Sequence, residues 1–224
     1  MGELKQPRLG VWQWLGRVPY STALQLQTSH RDRVIDGSGR ECLYLLEHPP
    51  VITLGRSANP SNILADPRQL ESEGIEVFRT TRGGEVTFHG PGQLVGYPIF
   101  RLSMGLRSYM ETMAAAVRDV LLAYGIVSEW RDDRPGLWVG NSKLCAFGVH
   151  VRSSVTMHGF ALNVHSLRTG FSHIVPCGLA KAEVGSMEDC LGWQIPVLDV
   201  ARKMPEVFAR RFDIVLSPLV DVSA

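Results

Sequence analysis

Residues 81–93, TRGGEVTFHGPGQ, restrict what this chain can fold into more than any other segment. Four glycines and a proline exclude a helix, because an interior glycine costs about 1 kcal/mol relative to alanine and an interior proline about 3. The alternation is too regular for an irregular loop. Glu85, Thr87 and His89 share one face of an extended segment, and Val86 and Phe88 share the other. Gly83 and Gly84 leave bare backbone on which a ligand chain could lie directly. A bend or bulge in a sheet would use glycine in the same way, so this segment alone leaves both readings open.

The remaining segments supply a sheet and its covering helices. LGVWQWLG, ECLYLLEH, VITLGR, IEVFRT, GEVTFH, GQLVGYPIF and VTMHGFALNV read as strands. GLWVGNSKLCAFGVHV reads as a hairpin around Gly140-Asn141. YSTALQLQTSHRDRVI has helical spacing. ADPRQLESEG is a short helix with Asp66 as N-cap, Pro67 in the first turn and Gly74 as stop. The clearest helix is LRSYMETMAAAVRDVLLAYG, where Tyr109, Met113, Val117, Val120, Leu121 and Tyr124 form one apolar stripe. HSLRTGFSHIVPCGLA reads as a loop, and Pro205 should kink or split the last helix. Hairpins outnumber strand–helix–strand units. The fold class is therefore α/β (α+β): a single domain over residues 1–224, with a mixed, largely antiparallel sheet flanked by helices.

Apolar residues make up 45% of the 224 and charged residues 20%, enough for a packed core. A net charge of +1 gives no global case for binding nucleic acid or a membrane surface. Local basic clusters remain at residues 31–40, 79–82 and 202–211. The four cysteines, Cys42, Cys145, Cys177 and Cys190, contain no CxxC pair and do not look like a disulfide framework. The N-terminus lacks the apolar run of a secretory signal, and no segment approaches membrane-spanning length. A soluble protein of a reducing, cytoplasmic compartment is expected.

The familiar phosphate, zinc and serine-hydrolase motifs are missing, and the spacing of His165, His173 and Cys177 fits no zinc site. Cys177 lies between Pro176 and Gly178, a setting suited to a nucleophile whose following N–H groups catch an oxyanion. A buried, inert cysteine is the competing reading. His173, His158, His89 and Lys143 are candidates to stabilise its thiolate. Lys143 opens an apolar strand directly after a turn. It reads either as a solvated lysine at a hairpin mouth or as a partly desolvated ammonium beside a thiolate. Small residues recur at Ala146 and Gly148 and again at Gly159 and Ala161, which together with the glycine-rich segment would leave an apolar slot.

RGGEVTFHGPGQ, KLCAFGVHV, HGFALNV and HIVPCGLAKAEVGSM, in that order, resemble the lipoyl(octanoyl) transferase family. HPPVITLGR and TGFSHIVPCG extend the likeness over most of the chain. The resemblance implies a fold similar to that of biotin and lipoate protein ligases. It implies that Cys177 is the acyl-thioester nucleophile and Lys143 its dyad partner. The substrate-binding segments would be Arg82, Gly83, Gly84, Glu85, Val86, Thr87, Phe88 and His89; then Ala146, Phe147 and Gly148; then Gly159, Phe160 and Ala161. The implied donor is octanoyl-acyl carrier protein, its acyl group borne on phosphopantetheine. The implied acceptors are apo lipoyl domains of 2-oxoacid dehydrogenase complexes and the glycine cleavage H protein. Neither ATP nor a metal is expected. If the source is eukaryotic, the compartment would be mitochondrial.

Two residues depart from the family pattern. Cys145 stands where alanine is common; on a regular strand it would share a face with Lys143, as a rival nucleophile or an apolar filler. Gly185 stands where threonine is common. The nearest rival function is an ATP-dependent ligase of the same fold, which has no need of Cys177. A non-catalytic module that binds acyl carrier or lipoyl domains is the other. The carrier and the lipoyl domain are typically acidic, so Arg79 and Arg82 could form a basic rim facing them.

Overall fold

The computed structural model describes residues 7–175 and 183–219. β1 (Arg8–Arg17) leads into α1 (Tyr20–Asp36), which ends where Gly37 turns left-handed at φ 84°. β2 (Glu41–Glu47) then runs parallel to β1. β3 (Val51–Leu54) leaves this layer and becomes the centre of a small second sheet. Its neighbours are β4 (Glu76–Arg79), parallel, and β5 (Val86–His89), antiparallel. Between β3 and β4, α2 (Pro67–Ser72) is capped by Asp66, whose carboxylate accepts from the Arg68 N–H at 2.8 Å.

The turn at Gly90-Pro91-Gly92 does not close a hairpin. It carries the chain from β5 in the small sheet to β6 (Gln93–Ile99) in the large one. Gly92 has φ 93°, and its N–H donates to the Glu47 carboxylate at 2.6 Å. A side chain there would strike the His165 ring, so glycine is required twice over.

The large sheet is completed by β7 (Glu129–Trp130), β8 (Leu137–Val139), β9 (Ser142–Arg152) and β10 (Val155–Asn163). Two late strands join it: β11 (Glu183–Val184) and β12 (Ile214–Pro218). The order is β12-β1-β2-β6-β10-β9-β8-β7, with β11 pairing with β9. Most of the central pairings are antiparallel, and those of β1 with β2, β1 with β12 and β9 with β11 are parallel. The mixed sheet expected from the sequence is present.

One face of the large sheet is covered by α3 (Leu106–Ala123). Its stripe residues Tyr109, Met113, Val117, Val120 and Leu121 are all buried. Burying each such side chain stabilises the fold by about 1.5–3 kcal/mol. The stretch 168–175 is not wholly a loop: α4 (Arg168–Phe171) forms there. α5 (Met187–Leu191) is capped by Ser186. The last helical region splits as expected, into α6 (Val197–Ala201) and α7 (Met204–Phe212), with Pro205 in the first turn of α7. Among the described residues no helix is long and apolar enough to cross a membrane.

Candidate active site

A cavity of about 270 Å³ opens between the glycine-rich segment and the strands β9 and β10. The segment contributes Arg82, Gly84, Glu85, Val86, Thr87 and His89 to its wall. β9 contributes Lys143, Ala146, Phe147 and Gly148, and β10 contributes Gly159, Phe160 and Ala161. Gly83 and Phe88, expected in the same group, do not line it. The Gly83 N–H donates to the Val149 carbonyl at 3.0 Å and pins the segment to β9. Phe88 turns away to meet Phe171, ring to ring at 5.8 Å, in a space that side chains at Gly90 and Gly170 would fill. Of the two apolar candidates, Val86 forms cavity wall and Phe88 fills the core of the small sheet.

β9 and β10 pair so that Gly148 faces Gly159 and Ala146 faces Ala161. The glycines serve backbone contact. A Cβ on Gly148 would lie 2.9 Å from the Gly83 carbonyl, and one on Gly159 would lie 2.2 Å from that of Gly96. The alanines line the cavity itself. His158, beside Gly159, holds φ 60° in mid-strand, a conformation that non-glycine residues seldom adopt. Its N–H donates to Gln27 Oε1 at 2.8 Å, and it too lines the cavity.

Lys143 stands at the cavity wall on a built platform. Its Nζ lies 5.6 Å from the ring centre of Trp138, a fully buried indole that Arg131 and Arg134 also approach at 5.1 Å. The Lys143 stem crosses Gly136: a Cβ there would lie 2.3 Å from Lys143 Cε and 2.8 Å from the Cys145 carbonyl. Lys143 is thus half-buried over an aromatic face rather than extended into solvent. Asp133, Arg134 and Pro135 line the cavity next to it and were not marked by the sequence.

The pairing of β8 with β9 shifts by one residue between Leu137 and Trp138. That irregularity breaks the two-residue alternation which would have put Cys145 and Lys143 on one face. Cys145 is 1% exposed in the main core, and burial pushes its thiol well above the ordinary range. It packs in the core as a small apolar filler. Burial likewise pushes Cys42 up to about 12. Cys177 lies outside the described residues. The chain on each side of it is described, however. The Val175 N–H donates to the Asn62 carbonyl at 2.7 Å, and Asn62 Nδ2 donates to the Glu85 carboxylate at 3.1 Å. On the far side, Val184 pairs with Lys143, and the Gly185 N–H donates to the Lys143 carbonyl at 3.0 Å.

Arg82 does not form an outer rim. Its Nη2 donates to the carbonyls of Thr53 and Glu85 at 2.6 and 2.7 Å, and its Nη1 donates to the Gly83 carbonyl at 3.0 Å. The guanidinium holds the glycine-rich backbone in shape. Arg79 is exposed. His173 is buried with Nε2 2.9 Å from the Glu73 carboxylate, and His165 Nε2 bonds the Ile195 carbonyl. Neither belongs to a metal cluster, and none of the required size occurs among the described residues.

His89 and His158 at the cavity wall and His48, packed against His89, form a nest of buried rings. Burial is the largest cause that lowers His89 and His158 to about 3 and His48 to about 4. The unfolded chain protonates these rings near pH 6.5, while the folded protein keeps them neutral far below that. Their contribution to stability is therefore full above about pH 6.5 and is lost as the pH falls toward 4. Each ring adds up to about 1.4 kcal/mol per pH unit to that slope. Urea unfolding at pH 7.5, 6 and 5 should show a steeply falling midpoint, and His48→Asn should flatten the fall.

The cavity between the glycine-rich segment and strands β9 and β10, with Lys143 at its edge, is built on a fold shared with lipoate and biotin protein ligases. A lipoate-protein ligase A structure solved with ATP superimposes with a TM-score of 0.75 over 95% of this chain and 90% of that one, at 17% identity. The biotin protein ligase of Aquifex aeolicus does so at 0.52 over 91% and 69%, with 10% identity. These likenesses establish the fold. The chain belongs to the lipoyl protein ligase A/B catalytic domain family, whose model matches residues 19–209, and within it to the octanoyltransferases, a family of acyltransferases. It is 43% identical to the Myxococcus xanthus octanoyltransferase over 89% of its own length, spanning 58% of that protein. It is 44% identical to that of Solibacter usitatus (strain Ellin6076), over 94% of this chain and 96% of that one.

Proposed function

We propose that this protein transfers an octanoyl group from octanoyl-acyl carrier protein to a lysine of apo lipoyl domains, through a thioester on Cys177. The observation that carries the reading is the setting of Lys143. It edges a small apolar-walled cavity, and the chain leading out of the Cys177 segment pairs directly with it. The chain leading in is tied through Asn62 to the opposite wall. The described residues on either side of Cys177 are thus tied to the two walls of the cavity. The cavity is at the small end of ligand sites, suited to one medium-length acyl chain.

In this mechanism the Cys177 thiolate, stabilised by the Lys143 ammonium, attacks the thioester carbonyl. The carrier thiol leaves and takes a proton from Lys143. The acceptor lysine then attacks as a free amine, gives its surplus proton to neutral Lys143, and Cys177 departs as thiolate. Each turnover restores both groups. Exchange of one thioester for another is nearly balanced, and amide formation drives the second half, so neither ATP nor a metal enters. Backbone N–H groups at residues 177–179 are the proposed oxyanion donors.

The test supplies a lipoyl domain with either octanoyl-carrier protein alone or free octanoate plus ATP. Modification with the first alone is the expected result. Modification that requires ATP would place the chain among the ligases instead.

A further inference from the structure

The protonation of the His89 ring follows from the hydrogen bonds around it, starting at a group with no choice. The Gly185 carbonyl can only accept, so the Asn163 group 2.9 Å from it is the amide nitrogen, Nδ2. That turns Asn163 Oδ1 toward Gln93, which must present Nε2 as donor, at 2.8 Å. The same Nε2 reaches the Phe88 carbonyl at 3.3 Å, another pure acceptor, which fixes the Gln93 amide a second time. Gln93 Oε1 therefore faces His89 Nδ1, at 2.6 Å, and Nδ1 carries the proton. The ring is neutral, so Nε2 holds a lone pair. Its neighbour at 3.4 Å is the Thr53 hydroxyl. That oxygen accepts from Arg82 Nε and Nη2 at 3.2 and 3.0 Å, which leaves its own proton for His89.

Every member of this chain is buried or nearly so: Thr53, His89, Gln93 and Asn163 are each less than 8% exposed. It starts at Arg82 on the glycine-rich wall and ends at Gly185, whose N–H donates to the Lys143 carbonyl. Two facts make it more than packing. It joins the two cavity walls that the sequence separates by some sixty residues, and no member can reverse without leaving a buried donor facing a donor or an acceptor facing an acceptor.

We propose that Gln93 and Asn163 are positioning residues. Through this chain they lock His89 in the Nδ1–H form at the cavity wall and hold the Gly185 backbone in register with Lys143. The link to turnover rests on the octanoyl-transfer reading; the lock itself does not. Gly185 takes part only through its backbone, so the place where the family commonly has threonine is anchored here by Asn163.

The test has one arm read without substrate and one read with it. In ¹⁵N NMR of the full chain, His89 should show a protonated Nδ1 and a bare Nε2 at neutral pH. Asn163→Ala should speed amide exchange at Gly185 by about tenfold, the effect of leaving a buried carbonyl unpartnered. It should lower the turnover number of octanoyl transfer by a similar factor while the KM for the donor stays within about threefold. Asn163→Asp preserves shape but loses the donor to Gly185, and should do the same if the alanine variant fails to fold. A proton on His89 Nε2 overturns the proposal. So does Gly185 exchange or turnover that stays within about twofold of wild type. An inactive wild type would sink the octanoyl-transfer reading alone, since tautomer and exchange are measured without acyl donor.

Discussion

Lys143→Met is expected to slow octanoyl transfer about a thousandfold, the size of contribution a positioned acid–base group makes, with little loss of stability. The side chain is half-buried over Trp138 and its stem is apolar, so methionine keeps most of the packing and removes only the ammonium. Lys143→Arg separates the two proposed duties. A guanidinium keeps a positive charge near the thiolate but cannot give up its proton at neutral pH. Acyl-enzyme formation should recover in part, while transfer to the amine, which needs a neutral base, stays slow. Gly136→Ala should imitate the loss with Lys143 itself unchanged, because the new Cβ would lie 2.3 Å from Lys143 Cε and displace it while the Cys145 carbonyl blocks relaxation. Single-turnover measurement of each half-reaction checks all three.

The second large effect concerns the choice between cysteines. Cys177→Ser should abolish transfer, since a serine hydroxyl beside an ammonium is not ionised and gains nothing from it. Cys145→Ser should leave turnover within about twofold, with a cost in stability of about 1–3 kcal/mol for placing a hydroxyl in an apolar site. Cys145 is buried in the main core and its thiol is pushed upward, both of which oppose nucleophilic attack. Steady-state rates of the two variants, with thermal unfolding as a control, separate the roles.

Much of the fold could be read in the chain because its signals are local. The α3 stripe, the Asp66 cap, the Gly140 turn and the break at Pro205 each depend on residues a few positions apart. β11 and β12 were missed because short strands form where a partner strand offers its edge, and that partner is distant in sequence; β7, only two residues long, pairs with the next strand but is too short to carry a pattern. Most of the candidate cavity wall was legible for a related reason: small residues and bare backbone mark close approach whatever is approached. Three residues took other partners than the local pattern suggested. Phe88 turned into the small core, Gly83 served backbone pairing, and Arg82 turned inward. Cys145 left the face of Lys143 because one register shift reverses the alternation. Asp133 and Arg134 carried no local signal, and Gln93 and Asn163 stood inside quoted motifs without being singled out, since their importance lies in what the fold sets beside them.

The most direct test of the account is the intact mass of the protein after incubation with octanoyl-acyl carrier protein and no acceptor, followed by peptide mapping. One octanoyl group should be found, on the peptide containing Cys177, and it should disappear when an apo lipoyl domain is added. An adduct on Cys145 or Lys143, or transfer to the lipoyl domain with no acyl-enzyme at any time, would contradict it.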